Sequence, residues 1–125
     1  MTPTLTPILH VPDVPASLAW YEALGFEVLD VDPHDAAAQW AHLAYGAGRV
    51  MLRTSQGPAA STPASADLYI RIPAVDALHA ALPATVEVIC GPKDKAYGMR
   101  ELTVRDPNGF AVTFGETLDR PFECR

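Results

Sequence analysis

The sequence contains few of the residues on which disulfide frameworks and zinc sites depend. Its two cysteines, Cys90 and Cys124, stand in no CxxC or Cys/His spacing, so neither site is expected and a reducing cytoplasm fits. No apolar run approaches the roughly 18–20 residues that a membrane span requires. The stretch MTPTLTPILHVPDV lacks the charged region and apolar block of a signal peptide. We therefore expect a cytoplasmic protein that makes no contact with membranes.

Basic residues are also scarce. Nine Lys and Arg stand against 15 Asp and Glu, which gives a formal net charge of −6 at pH 7. Because a nucleic-acid-binding surface needs clustered Lys and Arg to neutralise phosphates, nucleic acid is an unfavourable partner. The negative charge would suit a cationic ligand, although ordinary solubility charge explains it more simply.

The C-terminal part has the clearest pattern. Residues 100–105 and 110–114 alternate between apolar and polar side chains and flank the turn sequence DPNG at 106–109, which predicts a β-hairpin. The large apolar side chains share one face: Leu102, Val104, Val112 and Phe114. The opposite face carries Glu101, Thr103, Ala111 and Thr113. The apolar face should pack on a core, and the polar face would line a groove only in a strongly curved sheet.

Residues 5–54 predict one βαβββ unit. A strand at 8–11 stops at Pro12, and a helix begins with Asp13 as its N-cap and ends at Gly25. Three strands are predicted at 26–29, 40–45 and 49–54, with a loop at 32–35 between the first two.

The same order of elements returns later in the chain. Residues 55–65, SQGPAASTPAS, predict a linker. A shift of 61 positions places Leu9 on Ile70 and Pro12 on Pro73, which indicates a duplication. We therefore predict a second unit at 66–117, with a helix ending near Pro83, a strand at 86–89, a loop at 91–95 and the hairpin. The 125 residues then form one α+β domain.

Two βαβββ units with these phrases resemble the vicinal oxygen chelate superfamily, which includes glyoxalase I, extradiol dioxygenases, and fosfomycin and bleomycin resistance proteins. Three stretches carry the resemblance: ILHVPDVPASLAWYEALGFEV, DLYIRIPAVDAL and YGMRELTVRDPNGFAVTFGE. The last is the most specific, because members close with an aromatic-Gly-x-Arg-Glu strand, a DPxG turn and a strand ending near Gly-Glu. The resemblance implies that each unit curls its sheet into a cup, that two cups form a ligand groove, and that the protein is a homodimer.

Enzymes of this superfamily chelate a divalent metal through His and Glu side chains. The matching positions here are Thr6, Met51, Asp67 and Thr113. These residues do not form a His/Glu site, so neither a metal nor another cofactor is expected. His10 and His42 could form an unconventional site with Asp67, although strand histidines are more often solvated or hydrogen bonded.

The resemblance is closest to the metal-free bleomycin resistance type, whose dimers sequester a cationic, aromatic glycopeptide. It places Trp40 and Tyr97 where an aromatic ring could stack on a ligand. Strand parity adds further candidates for the groove: His10, His42, Arg53, Asp67, Tyr69, Arg71, Glu101 and Thr103. Each could equally be a solvated sheet residue, and Trp40 could be a core residue. Arg53 and Arg71, if both face inward, would oppose a cationic ligand.

We therefore expect a metal-free protein that binds a small aromatic or cationic molecule, such as a bleomycin-type antibiotic, without catalytic residues. One alternative is a divalent-metal lyase or dioxygenase of the same fold, disfavoured by the four cup positions. A second is acid–base catalysis by Glu101 or Asp67, which would require a carboxyl with a raised pKa. A third, a scaffold without ligand, leaves the polar strand faces unexplained. Arg100 is expected to pair with an acid across the sheet or across the dimer.

Overall fold

The computed structural model describes residues 3–34, 37–54 and 67–118. These residues form eight strands and two helices: β1 (Ile8–Val11), α1 (Val14–Leu24), β2 (Glu27–Asp32), β3 (Trp40–Tyr45), β4 (Gly48–Thr54), β5 (Asp67–Arg71), α2 (Val75–Ala81), β6 (Glu87–Asp94), β7 (Met99–Arg105) and β8 (Ala111–Thr117). The chain divides into two compact units, Met1–Pro63 and Ala64–Arg125. We call them the first and the second module. No helix within the described ranges has the length and apolar character needed to cross a membrane.

Each module contains one four-stranded mixed sheet. The strand order is β1-β4-β3-β2 in the first module and β5-β8-β7-β6 in the second. In both, the module's first strand runs parallel to its last strand, and the other pairs are antiparallel. The repeated order and direction confirm the predicted α+β fold of two βαβββ units. The predicted linker at 55–65 lies outside the described residues.

The core of each module lies on the sheet face that its helix covers. In the first module the buried residues alternate along the strands and meet one side of α1: Leu9, Val11, Ala41, Leu43, Val50, Leu52, Val14, Tyr21 and Leu24. In the second module the corresponding layer is Leu102, Val104, Val112, Phe114 and Val75, all of them fully buried. The predicted apolar face of the closing hairpin is therefore confirmed, and removal of this apolar surface from water is the main driving force for folding.

The two helices begin in different ways. In α1 the Asp13 carboxylate accepts the N–H of Ala16 at 3.1 Å, and Gly25 ends the helix with a φ of 117°, as the sequence predicts. In α2 the cap position is Ala74, which offers no side-chain acceptor. The Glu116 carboxylate, at the end of β8, accepts the N–H of Val75 instead at 2.9 Å.

The predicted loop at 91–95 is wrong, because β6 continues to Asp94. The ladder between β6 and β7 shifts register between Val88 and Cys90 and again between Cys90 and Lys93. These bulges accommodate the Gly-Pro pair, since proline cannot donate to a ladder and Gly91 has a φ of 94°. The loop predicted at 32–35 likewise starts too early, because β2 extends to Asp32 beyond its own register shift.

The DPNG turn of the closing hairpin forms as predicted. Asp106 is 2% exposed, and its carboxylate accepts the N–H of Asn108 at 2.8 Å and of Phe110 at 2.9 Å. Gly109 adopts a φ of 94°, a conformation that favours glycine. The side chain of Asp106 therefore satisfies the polar backbone of a turn that is partly buried.

Candidate functional site

In the first module, the sheet face opposite α1 carries a row of four side chains. Cα register pairs His10 with Arg53, Arg53 with Trp40, and Trp40 with Asp32. Residues directly opposite each other on neighbouring strands point to the same side of a sheet. We call these four the first row.

A pocket of about 200 Å³ lies at the corner of this face, where β2 ends, β3 begins and β4 ends. Its lining is Asp32, Pro33, Gln39, Trp40, Arg53 and Thr54. Backbone hydrogen bonds fix the corner, because the Gln39 N–H donates to the Asp32 carbonyl at 3.0 Å and the Thr54 N–H donates to the Gln39 carbonyl at 2.9 Å. The Thr54 hydroxyl also donates to the Gln39 carbonyl, at 3.2 Å. We call this cavity the Trp40 pocket.

The charged groups of the Trp40 pocket have no partners among the residues that the structure describes. Across the described ranges, neither the Asp32 carboxylate nor the Arg53 guanidinium makes a hydrogen bond or an ion pair. Trp40 is half-buried, so its indole remains accessible from the pocket. An accessible ring between two unpaired charges is suited to binding a polar aromatic molecule.

His42 lies next to Trp40 on the same face of β3. Its Nε2 is buried and has no hydrogen-bond partner in the part of the chain that the structure describes, and its ring centroid is 6.2 Å from that of Trp40. A buried polar atom without a partner carries a desolvation cost. This cost would fall if another molecule supplied a hydrogen bond to His42.

The corresponding row of the second module has different chemistry. Register pairs Arg71 with Gly115, Gly115 with Glu101, and Glu101 with Lys93. We call these four the second row. Tyr69, on the same face of β5, extends over Gly115, and its hydroxyl donates to the Glu101 carboxylate at 2.7 Å. A Cβ at position 115 would overlap the Tyr69 hydroxyl, so a larger residue there would displace the Tyr69 ring.

Two tyrosines share the Glu101 carboxylate, which is 9% exposed. Burial of its hydroxyl and the hydrogen bond to Glu101 raise the pKa of Tyr69 to about 12, although 51% of the residue remains exposed. The pKa of Tyr97 is also raised, first by its hydrogen bond to Glu101. Both phenols are therefore neutral at physiological pH, and the cluster binds the carboxylate without forming a phenolate.

Other polar groups of the second module are paired with each other. Arg100 contacts Asp76 at 3.0 Å and Asp94 at 2.9 Å, which confirms the predicted acid partner across the sheet. The hydroxyls of Thr103 and Thr113 lie 2.9 Å apart. These contacts have a structural role.

The residues at the four positions that hold a metal in related enzymes do not fit a metal ion in this chain. Thr6 and Met51 are weak ligands for hard divalent cations, and the Thr113 hydroxyl is hydrogen bonded to Thr103. Asp67 is the one carboxylate among the four residues. In residues 3–34, 37–54 and 67–118, no three His, Cys, Asp or Glu side chains are grouped as metal ligands.

The structure divides the residues predicted for the site between the two modules. Trp40 and Arg53 line the Trp40 pocket with His42 beside it, whereas Tyr69, Tyr97 and Glu101 form the tyrosine cluster. Asp67 pairs with Ala111 in the β5–β8 ladder, two residues from Tyr69. Asp32, Gln39, Thr54 and Gly115 were missed. For Asp32 the alternation with Asp30 around Val31 was an available signal.

Comparison with protein families identifies a superfamily. The family model described as "Glyoxalase/Bleomycin resistance protein/Dioxygenase superfamily" matches residues 5–114. The chain belongs to this superfamily. A search of curated proteins finds no match.

Solved structures show the same fold. TioX from Micromonospora sp. ML1 is 24% identical with a TM-score of 0.79, over 94% of this chain and 100% of that one. A bleomycin-binding protein complexed with bleomycin is 19% identical with a TM-score of 0.67, over 93% of this chain and 99% of that one. A bleomycin resistance determinant encoded on transposon Tn5 is 19% identical with a TM-score of 0.68, over 93% and 98%. At these identities the likeness concerns the fold.

Proposed function

We propose that this superfamily member is a metal-free binding protein that sequesters a small aromatic or cationic antibiotic, such as a bleomycin-type glycopeptide. The observation that carries the proposal is the Trp40 pocket, in which an accessible indole lies beside the Asp32 and Arg53 side chains, which have no partner among the described residues. Such a site can hold a ring by stacking and orient it by a few polar contacts. It requires no nucleophile.

The metal-free part of the proposal follows from the donor set. Two Thr, one Met and one Asp stand at the positions where related enzymes carry His and Glu. Neutral hydroxyls and a thioether provide neither the charge nor the basicity that a divalent cation requires. Of the predicted ligand contacts, Trp40 and Arg53 form the pocket and His42 adjoins it, whereas Asp67, Tyr69, Tyr97, Glu101 and Thr103 belong to the second module.

We further propose that the protein works as a homodimer in the cytoplasm. The resemblance to bleomycin resistance proteins supports the dimer. The small number of cysteines, of which Cys90 is free and exposed, supports the cytoplasmic location. Size-exclusion chromatography with light scattering tests the dimer. A mass near twice 13.4 kDa is expected, and a mass of one chain at micromolar concentration would contradict it.

Isothermal titration calorimetry tests the binding function. Chelator-treated protein is titrated with copper-free bleomycin, and separately with Zn²⁺ and Ni²⁺. We expect drug binding, no stoichiometric uptake of either metal, and at least about tenfold weaker drug binding in Trp40→Ala. Trp20→Phe is the matched control, because Trp20 packs against Tyr21 in α1 with ring centroids 4.9 Å apart. Tight metal uptake without drug binding would contradict the proposal.

A further inference from the structure

The Trp40 pocket has an acidic and a basic side on either side of one indole. Trp40 is the register partner of Arg53 on one neighbouring strand and of Asp32 on the other. Since neighbouring strands lie about 4.8 Å apart, the backbones of Arg53 and Asp32 are about 10 Å apart.

Among the described residues, the charges in this pocket are unpaired, whereas Arg100 and Arg105 on β7 are paired. Arg100 contacts two carboxylates and Arg105 lies 3.4 Å from Glu87. Arg53 and Asp32, in contrast, line one cavity without contacting each other or any other charged group in the described residues. Each charge is therefore available to a ligand of the opposite charge.

The volume of the cavity limits the size of the bound group. An apolar cavity of about 150 Å³ accommodates benzene, so about 200 Å³ accommodates one aromatic ring with small substituents. The ring has a stacking partner in Trp40. The substituents must then match the two charged walls.

We propose that the Trp40 pocket recognises a planar aromatic group with a basic substituent at one end and an acidic substituent at the other. The ring stacks on Trp40, the ammonium contacts Asp32 and the carboxylate contacts Arg53, whose planar guanidinium binds carboxylates in a bidentate manner. This inference rests on the proposed function and narrows its ligand class. Arg53 disfavours a ligand with positive charge alone, and Asp32 one with negative charge alone.

A matched series of three probes tests this recognition. The probes are 4-(aminomethyl)benzoate, 4-methylbenzylamine and 4-methylbenzoate, which share one ring and differ in charge. Binding is followed by Trp40 fluorescence in the Trp20→Phe protein, because the chain has two tryptophans. At low ionic strength, where screening is weak, the zwitterion should bind at least about fivefold more tightly than either singly charged probe.

Two variants assign the preference to its residues. Arg53→Gln should remove the advantage of the zwitterion over the amine, and Asp32→Asn should remove its advantage over the benzoate. Both side chains are exposed, so the variants should keep the fold, which circular dichroism checks. Arg49→Gln is the control, since Arg49 is exposed and bonds only the turn carbonyls of Gly46 and Gly48.

The outcomes separate this inference from the proposed function. Equal affinity for all three probes, or a preference unchanged in both variants, would overturn the zwitterion inference. Failure of all three probes while bleomycin binds through Trp40 would also overturn it and would leave the proposed function intact. Failure of the probes and of bleomycin together would overturn both.

Discussion

The two modules share strand order and strand direction but differ at corresponding rows of their sheets. From the first strand of each module outward, the first row reads His10, Arg53, Trp40 and Asp32. The second row reads Arg71, Gly115, Glu101 and Lys93. One backbone therefore presents an accessible ring between charges in one module and a tyrosine-bound carboxylate in the other.

The difference depends on the second residue of each row, which is Arg53 in the first module and Gly115 in the second. In the second module Gly115 leaves room for Tyr69, which reaches Glu101 and satisfies a buried charge from within the chain. In the first module Arg53 occupies the equivalent place, and the side chains of Arg53 and Asp32 beside Trp40 have no such partner among the described residues. In the second module this face contributes to stability, and we propose that in the first module it provides the ligand site.

The two hairpin turns should differ most in how much one substitution lowers the free energy of unfolding. Asp106→Ala should lower the free energy of unfolding by about 2–4 kcal/mol, because two backbone N–H groups of a partly buried turn lose their acceptor. Arg49→Ala in the first-module turn should cost less than about 0.5 kcal/mol, because its contacts are exposed. Urea unfolding followed by circular dichroism measures both. Equal costs would show that the two turns do not differ in this way.

A smaller loss of stability is expected when the space that Tyr69 occupies over Gly115 is filled. Gly115→Ala should lower the free energy of unfolding by about 1–2 kcal/mol, because the new methyl group displaces Tyr69 from Glu101. In a Tyr69→Ala background the same change should cost almost nothing, since alanine suits a strand better than glycine. A double-mutant cycle by urea unfolding measures the coupling. Identical costs in both backgrounds would refute the fit.

The smallest effect is a pH dependence of stability. The pKa of Tyr69 is raised from 10.0 to about 12, so the folded state holds this proton more tightly than the unfolded state. Its contribution is present below pH 10 and is lost as the pH rises towards 12. Urea unfolding at several pH values should show that the free energy of unfolding falls more steeply at alkaline pH in the wild type than in Tyr69→Phe. Solvent screening keeps the difference small, because Tyr69 is 51% exposed. Parallel curves would contradict the assignment.

The sequence predicted the features that depend on local signals. The hairpin followed from the DPNG turn between alternating strands, and α1 followed from Asp13 and Gly25, whose capping roles involve residues a few positions away. The repeat of elements was visible because each module has the same pattern of strand, proline and helix. These elements could be identified without knowing which strands pair.

The features that the sequence did not predict depend on strand pairing. Tyr69 and Glu101 are 32 residues apart, and the role of Gly115 appears only when β5, β8 and β7 are placed in register. The extension of β6 beyond Gly91 depends on bulges opposite β7. Asp32 was assigned to a loop because an Asp-Pro pair usually marks a turn, so its place in the first row was missed.

Nuclear magnetic resonance of the two tryptophan indoles can locate the bound ligand. Trp40 lines the pocket on the sheet face opposite α1, whereas Trp20 lies in α1 on the other side of the sheet. In ¹⁵N-labelled, chelator-treated protein, adding copper-free bleomycin should shift the Trp40 indole N–H signal and leave that of Trp20 in place. Binding by calorimetry without a shift at Trp40 would place the ligand elsewhere and contradict the account.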